Sequence, residues 1–169
     1  ADFTLERFLS RYNDDLGNDL GNLLSRILNM TARYSGGVVP EATIEEEPEA
    51  ELRTLWEETR SSLLDLFSGY KFNFGLEKLF TFVRGINRYA ETRAPWKLAK
   101  SEDPADRTKL EASLAVLAES LRLAVAALTP VMPGINSRVN GLLGVPETTS
   151  WDADLKWDHR LRGNALGEK

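Results

Sequence analysis

The chain has 169 residues, of which 42% are hydrophobic and 28% are charged, an ordinary composition for one globular domain with a core of its own. It contains no cysteine, which excludes disulfides, a thiolate nucleophile and thiolate metal sites. Its apolar stretches are short and interrupted by charge, so we expect no membrane-spanning segment. The net charge of −5 has the wrong sign for a protein held on nucleic acid by phosphate contacts alone.

Helical periodicity runs through the first half of the chain, where strand signals are almost absent. Thr4 is the predicted N-cap of a first helix, and a predicted break at residues 13–17 separates it from a second helix. The second helix is expected to end at Ser35-Gly36-Gly37, because glycine suits a helix C-terminus. A third helix is predicted to begin near Pro48 and to end at Ser68-Gly69.

The second half of the chain predicts three further helices and a short one. The fourth helix covers residues 73–92 and ends at Arg93-Ala94-Pro95, because the residue before a proline is disfavoured in helices. Pro95 then begins a short helix. The fifth helix, residues 105–128, consists mostly of alanine and leucine, so we expect it to run through the centre of the fold. A last helix is predicted over residues 134–143.

Residues 144–169, which include Trp151 and Trp157, are predicted to form an extended tail over the helices. We expect this tail also to reach towards a part of the protein outside this chain. The sequence shows no internal repeat and no long low-complexity tract. Residues 1–169 are therefore predicted to form a single all-α domain, an antiparallel helix bundle with an extended C-terminal tail.

No group of residues predicts a catalytic site. His159, the single histidine, lies in the tail, where a surface position is far commoner than a catalytic one. Ser35-Gly36-Gly37 follows a helix rather than a strand, which is the wrong context for a phosphate-binding loop. The consecutive acids Glu45-Glu46-Glu47 point in different directions and favour no metal site. We expect no catalytic residue, metal or cofactor in this chain, and therefore a binding or structural domain.

Polar residues follow one face of the second predicted helix at spacings of four, four, three and four residues: Asn18, Asn22, Arg26, Asn29 and Arg33. Asparagine is a poor helix former, so three of them in one stripe are costly relative to alanine or lysine. Asparagine and arginine offer hydrogen-bonding groups for base edges and phosphates. The stripe therefore predicts an RNA-binding face, with an ordinary hydrated helix face as the alternative.

A second candidate face is the corner at Pro95 and Trp96. A tryptophan directly after a proline at a helix start is held by a stiff backbone. Basic residues surround it in the sequence: Arg88, Arg93 and Lys97. Proteins bind unpaired bases by stacking them on such aromatic rings. The corner predicts a stacking platform; the alternative is that Trp96 fills a gap between helices.

Both faces resemble parts of the anticodon-binding domain of bacterial methionyl-tRNA synthetases. The segments that carry the resemblance are residues 11–13, 15–16 and 18–26, Asn87-Arg88-Tyr89, residues 95–100, residues 70–72 and 75–77, residues 128–130, residues 132–133 and Trp157. From the first of these segments to the last, the resemblance extends over essentially the whole chain. The two faces are specific in combination, whereas either alone also fits a related class I synthetase.

The resemblance implies a role for individual residues. In that family the tryptophan stacks on the first anticodon base, the cytosine of CAU. An asparagine and an arginine one turn apart hydrogen-bond the flipped bases, and another asparagine assists them. By resemblance these roles fall on Trp96, Asn22, Arg26 and Asn87, with Pro95 setting the corner. Charge and position add candidate contacts to the RNA backbone: Arg33, Arg88, Arg93 and Lys97.

The resemblance implies a tRNA anticodon-recognition domain of methionine–tRNA ligase, acting for a catalytic domain N-terminal to residue 1. The expected partners are methionine tRNA and that catalytic domain, with no membrane and no DNA, in the cytoplasm. ATP and zinc are implied only for the catalytic part, whose signature sequences are not in this chain. The alternatives are the anticodon-binding domain of another class I synthetase, of the cysteine or leucine type, and a helical protein-interaction scaffold.

Overall fold

The computed structural model describes the backbone of residues 5–145 and 150–167, and the side chains of these residues except 5–13, 16 and 135. Within these ranges the chain forms helices and no strand, which confirms the predicted all-α bundle. The helices are α1 (Leu5–Ser35), α2 (Glu47–Ser68), α3 (Phe72–Arg93), α4 (Pro95–Leu98), α5 (Pro104–Ala127), α6 (Pro133–Leu143) and α7 (Trp151–Asp154). None of these helices is long and apolar enough to cross a lipid bilayer. The predicted N-cap, Thr4, lies outside the described residues.

One continuous helix, α1, stands where two were predicted, so the predicted break at residues 13–17 is wrong. Asparagine, aspartate and glycine each cost about 1 kcal/mol or less relative to alanine in a helix. A break would instead leave backbone groups unpaired at two new helix ends. The apolar face of α1, which includes Leu20, Leu23 and Ile27, is buried against the bundle. This packing outweighs the weak local preference for a break.

Helix α5 runs through the centre of the bundle, as its composition predicted. All residues from Ala112 to Leu128 are buried, and α5 contacts α1, α2, α3, α4, α6 and α7. A helix that is apolar on all sides is stable only when it is surrounded. Its start is fixed by Asp103, whose carboxylate accepts a hydrogen bond from the N–H of Ala105 at 2.9 Å. The other helices are therefore arranged around α5.

The alternating directions of the long helices bring several helix termini together at one end of the bundle, here called the α4 end. It holds the C-termini of α1 and α3, the N-termini of α2 and α5, and the short helix α4. The guanidinium of Arg107 on α5 donates to the carbonyl of Tyr34 on α1 at 2.8 Å. Loops and helix ends commonly carry binding sites on a rigid scaffold, and the Trp96 corner and the C-terminal part of the α1 stripe lie here.

The C-terminal tail packs along the bundle, but it is not extended throughout, because α7 forms one helical turn within it. The Trp151 ring stacks on Phe67 of α2, with ring centroids 5.6 Å apart. The indole N–H of Trp56 donates to the carbonyl of Leu155 at 2.9 Å. Farther along, Asn164 and its neighbours pair with the loop after α1, where the N–H of Val39 donates to the Asn164 carbonyl at 2.9 Å.

Candidate functional site

The two faces predicted from the sequence meet in the structure where Arg26 contacts Trp96. The guanidinium carbon of Arg26 on α1 lies 4.9 Å from the ring centroid of Trp96 on α4, a cation–π distance. The same guanidinium donates to the carboxylate of Glu91 on α3 at 2.7 Å. Three helices therefore converge on Arg26, although the residues involved are far apart in the sequence.

The α1 stripe is largely exposed to solvent. Asn18, Asn22, Asn29 and Arg33 are exposed, whereas the Arg26 side chain is only 33% exposed. Because Asn22 lies one turn before Arg26, it shares the face that meets Trp96. The Arg33 guanidinium lies two turns beyond Arg26 and 5.8 Å from the centroid of the Tyr34 ring. The stripe thus presents hydrogen-bonding side chains on both sides of the contact with Trp96.

The corner that carries Trp96 has a defined backbone. Ala94 takes the left-handed conformation, with φ 46° and ψ 65°, and serves both as C-cap of α3 and as N-cap of α4. Pro95 is buried at the first position of α4, as predicted from the sequence. Trp96 is half-buried and packs partly against the core, while Lys97 is exposed. The Trp96 ring is therefore held in place rather than freely rotating at the surface.

Asn87 and Arg88 lie on different sides of α3. Asn87 is half-buried and lies one turn before Glu91, so it faces the same side as the Arg26 contact. Its side-chain N–H donates to the carbonyl of Val83 at 3.4 Å, a bond in which the amide oxygen takes no part. Arg88 is exposed and lines a groove between α2 and α3 that also includes Glu51. Asn87 thus joins the site, and Arg88 lies beside it.

Arg93 occupies a different environment from the one its charge suggested. Its side chain is only 10% exposed. The guanidinium donates to the carboxylate of Glu49 on α2 from Nε at 2.8 Å and from Nη2 at 2.5 Å, and Nη2 also contacts Glu46 at 2.9 Å. Two carboxylates thus bind this guanidinium within the protein, and we leave Arg93 out of the surface offered to a ligand.

Sequence reasoning missed the two acids that organise this region, Glu91 and Glu49. Glu91 is the only acid in a basic stretch of α3 and α4, from Arg84 to Lys100, which was a signal that it pairs with one of the bases. Glu49 carried no such signal, because it lies among many acids at the start of α2. Only the fold shows that Glu49 is 2% exposed and faces Arg93.

Glu49 predicts an acid dependence of stability. Burial opposes its ionisation, but hydrogen bonds from Arg93 and Tyr89 outweigh burial, so the pKa of Glu49 lies below its ordinary value of 4.5. The resulting stabilisation is complete above the pH at which the unfolded carboxyl titrates, and it is lost as the pH falls through the lower folded pKa. We expect urea unfolding of Glu49→Gln to depend less on pH below 4.5 than unfolding of the wild type. The same change of unfolding free energy with pH in the two proteins would contradict this expectation.

Comparison with known proteins gives the class of protein to which this chain is similar. No protein-family model matches the chain. The chain is 40% identical over 145 residues to the methionine–tRNA ligase of Lactococcus lactis, an alignment that covers 86% of this chain and 22% of that protein. It is 35% identical over 164 residues to the enzyme of Clostridium tetani, which covers 97% of this chain and 25% of that protein.

A solved structure shows the same fold. The crystal structure of the apo form of Mycobacterium tuberculosis methionyl-tRNA synthetase matches with a TM-score of 0.83 at 29% sequence identity, covering 97% of this chain and 33% of that one. The fold and the alignments together define a helical domain of an aminoacyl-tRNA synthetase. The chain is homologous to methionyl-tRNA synthetases over most of its length. It spans 22% and 25% of the two curated relatives named above.

Proposed function

We propose that this chain is the anticodon-recognition domain of a methionine–tRNA ligase, selecting the CAU anticodon for methionylation by a catalytic domain outside this chain. The observation that carries the proposal is the contact between Arg26 and Trp96, with Glu91 on the other side of the guanidinium. It joins the two faces that resemble the family's anticodon-contacting segments. The proposed partners are methionine tRNA and the rest of the synthetase, and the proposed location is the cytoplasm.

The geometry is suited to binding a few unstacked bases. Trp96 provides an aromatic ring for stacking, and the planar guanidinium of Arg26 lies against that ring; bases stack on both kinds of group. Asn22 and Asn87 supply amide donors and acceptors beside the ring, which can read the Watson–Crick edges of splayed bases. Only the correct bases satisfy these groups, so a wrong base leaves hydrogen bonds unmade.

The charges around the site support the proposal that this acidic protein binds RNA here. Arg33, Arg88 and Lys97 are exposed around the site and are the proposed contacts to the RNA backbone. Because only a few such contacts are made, on a chain with net charge −5, few counterions are released and we expect the affinity to fall only modestly with salt. Specific base contacts therefore carry more of the binding than they would in a strongly basic protein.

The test is binding of synthetic anticodon stem-loops to the 169-residue chain, measured by fluorescence anisotropy at low salt. We expect the CAU loop to bind tightest, and replacement of its first base by uridine to weaken binding about tenfold, since 1.4 kcal/mol of lost base contacts corresponds to a factor of ten. Loops with the cysteine anticodon GCA or the leucine anticodon CAA serve as matched controls on the same stem.

Each alternative predicts a different result. Tightest binding of the GCA or CAA loop would assign the chain to another class I synthetase. Equal and weak binding of all loops, unaffected by substitution of Trp96, would instead favour a helical protein-interaction scaffold. Measurement of the CAU loop over a range of salt concentrations separates weak specific binding from the absence of binding.

A further inference from the structure

A buried ion pair joins α2 to the last turn of α3 at the α4 end. Glu49 is 2% exposed, and its carboxylate accepts hydrogen bonds from the Tyr89 hydroxyl at 2.5 Å and from the Arg93 guanidinium at 2.5 and 2.8 Å. Tyr89 and Arg93 lie one turn apart on α3, so both reach the same carboxylate. We call these three residues the Glu49 latch.

Stability alone does not account for the latch. The cost of desolvating two buried charges can offset much of their attraction, and apolar residues of similar size often replace such a pair without loss of stability. What a fully hydrogen-bonded pair adds is a fixed geometry, because one carboxylate satisfies donors from two positions on α3 only when α3 is correctly placed. The latch therefore fixes where α3 ends relative to α2.

The end of α3 determines the direction of Trp96. Arg93 is the last residue of α3, and only Ala94 and Pro95 separate it from Trp96. Both linking residues have restricted backbones, since Ala94 is held in the left-handed region and proline fixes its own φ. The N–H of Ala94 also donates to the carbonyl of Ala90 at 2.8 Å. A shift of Arg93 is consequently passed on to the Trp96 ring.

We infer that the Glu49 latch is a positioning device that holds Trp96 in register with Asn22 and Arg26 on α1. This inference rests on the proposed function for its consequence in RNA binding. It assigns Arg93 a role through its contacts inside the protein rather than through a phosphate, and Glu49 and Tyr89 become positioning residues of the same site.

The salt dependence of RNA binding separates a positioning role from a phosphate contact. We expect Arg93→Met to weaken binding of the CAU stem-loop about tenfold, within the range usual for residues that act on a site through others. The slope of log affinity against log salt should stay unchanged. Lys97→Met, which removes an exposed charge beside Trp96, should lower that slope by about one instead.

A second readout needs no RNA. The indole N–H resonance of Trp96, assigned by its loss in Trp96→Phe, should shift in Arg93→Met and return towards its wild-type position in Arg93→Lys, which restores the ion pair in part. If Arg93→Met fails to fold, the double substitution Glu49→Leu with Arg93→Met removes both charges together and provides the same test.

The outcomes distinguish failure of this inference from failure of the proposed function. An unshifted Trp96 resonance in folded Arg93→Met, or a salt slope reduced as in Lys97→Met, would overturn the latch while leaving anticodon binding intact. Loss of the CAU preference in the wild type itself would overturn the proposed function, and the Trp96 resonance would still decide whether the latch positions the ring. A shifted resonance with tenfold weaker binding at constant slope is the expected result.

Discussion

Replacing Arg122 with methionine is expected to lower the free energy of unfolding by about 3–5 kcal/mol, the usual cost of stranding one partner of a buried ion pair. Arg122 and Glu119 lie on the central helix α5 with side chains 1% and 0% exposed. The guanidinium donates to Glu119 from Nε at 2.7 Å. Without it, the Glu119 carboxylate remains buried with no cation against it. Urea unfolding followed by circular dichroism measures the loss.

The same substitution should release the C-terminal tail. Arg122 also donates to the carbonyls of Asp154 and Lys156, at 2.8 and 2.7 Å. Glu119 accepts hydrogen bonds from the N–H groups of Asp158 and His159, at 2.6 and 2.5 Å. The pair thus substitutes for secondary structure over a stretch of irregular backbone. We expect faster amide hydrogen exchange there in Arg122→Met, because those hydrogen bonds close the segment.

Arg60→Met is the matched control for Arg122→Met. Glu57 and Arg60 on α2 have the same order and the same spacing as Glu119 and Arg122, but their side chains are 53% and 29% exposed. Arg60 also touches the tail, but only through a 3.5 Å contact with the exposed carboxylate of Asp152. Solvent screens such a pair, so the loss should stay below about 1 kcal/mol. Equal losses of stability in the two variants would show that burial does not strengthen the α5 pair.

The helices could be predicted from the sequence wherever local signals and packing agree. Proline and glycine marked the ends of α2, α3 and α5 within a residue or two of their observed positions. The prediction failed in α1, where residues 13–17 are poor helix formers but the apolar face continues beyond them. Burial of Leu20, Leu23 and Ile27 contributes more than the local penalties, and no window of sequence reveals that balance.

The sequence indicated candidate residues for the site but not how they are arranged. Spacing identified the α1 stripe, and the order proline–tryptophan identified the corner. That Arg26 reaches Trp96 depends on how α1 crosses α3 and α4, which follows from the packing of the whole bundle. The different environments of Arg93 and Lys97 were invisible for the same reason, because equal charges a few residues apart gave no indication that one is buried against Glu49.

If RNA binds as proposed, Glu91 competes with it for Arg26. Its carboxylate holds the Arg26 guanidinium at 2.7 Å and adds a negative charge where a polyanion is proposed to bind. Any RNA contact made by Arg26 must therefore replace, or coexist with, this ion pair. Bases that hydrogen-bond to Asn22, Arg26 and Asn87 together can offset that cost. A phosphate alone is instead repelled by the Glu91 carboxylate. Under the proposed function, the ion pair therefore favours base-specific over general RNA binding.

Trp96→Ala is expected to weaken binding of the CAU stem-loop by about 5- to 150-fold, which corresponds to the 1–3 kcal/mol of one base–aromatic stack. The substitution also removes the ring against which the Arg26 guanidinium rests at 4.9 Å, so the proposed hydrogen bonds to the bases lose their support as well. Trp96→Phe keeps a smaller aromatic ring and should lose less. Fluorescence anisotropy gives the affinities, and circular dichroism verifies that the bundle remains folded.

Phe74→Ala separates this effect from a general role of exposed aromatic residues. Phe74 is 51% exposed near the start of α3, at the end of the bundle opposite Trp96, so its loss should leave RNA affinity unchanged. If Trp96→Ala bound the CAU loop as tightly as the wild type, Trp96 would serve only to fill the space between helices. If both variants lost affinity equally, the RNA would be binding to aromatic surface without regard to the site. Only a selective loss in Trp96→Ala supports a ring that stacks on an anticodon base.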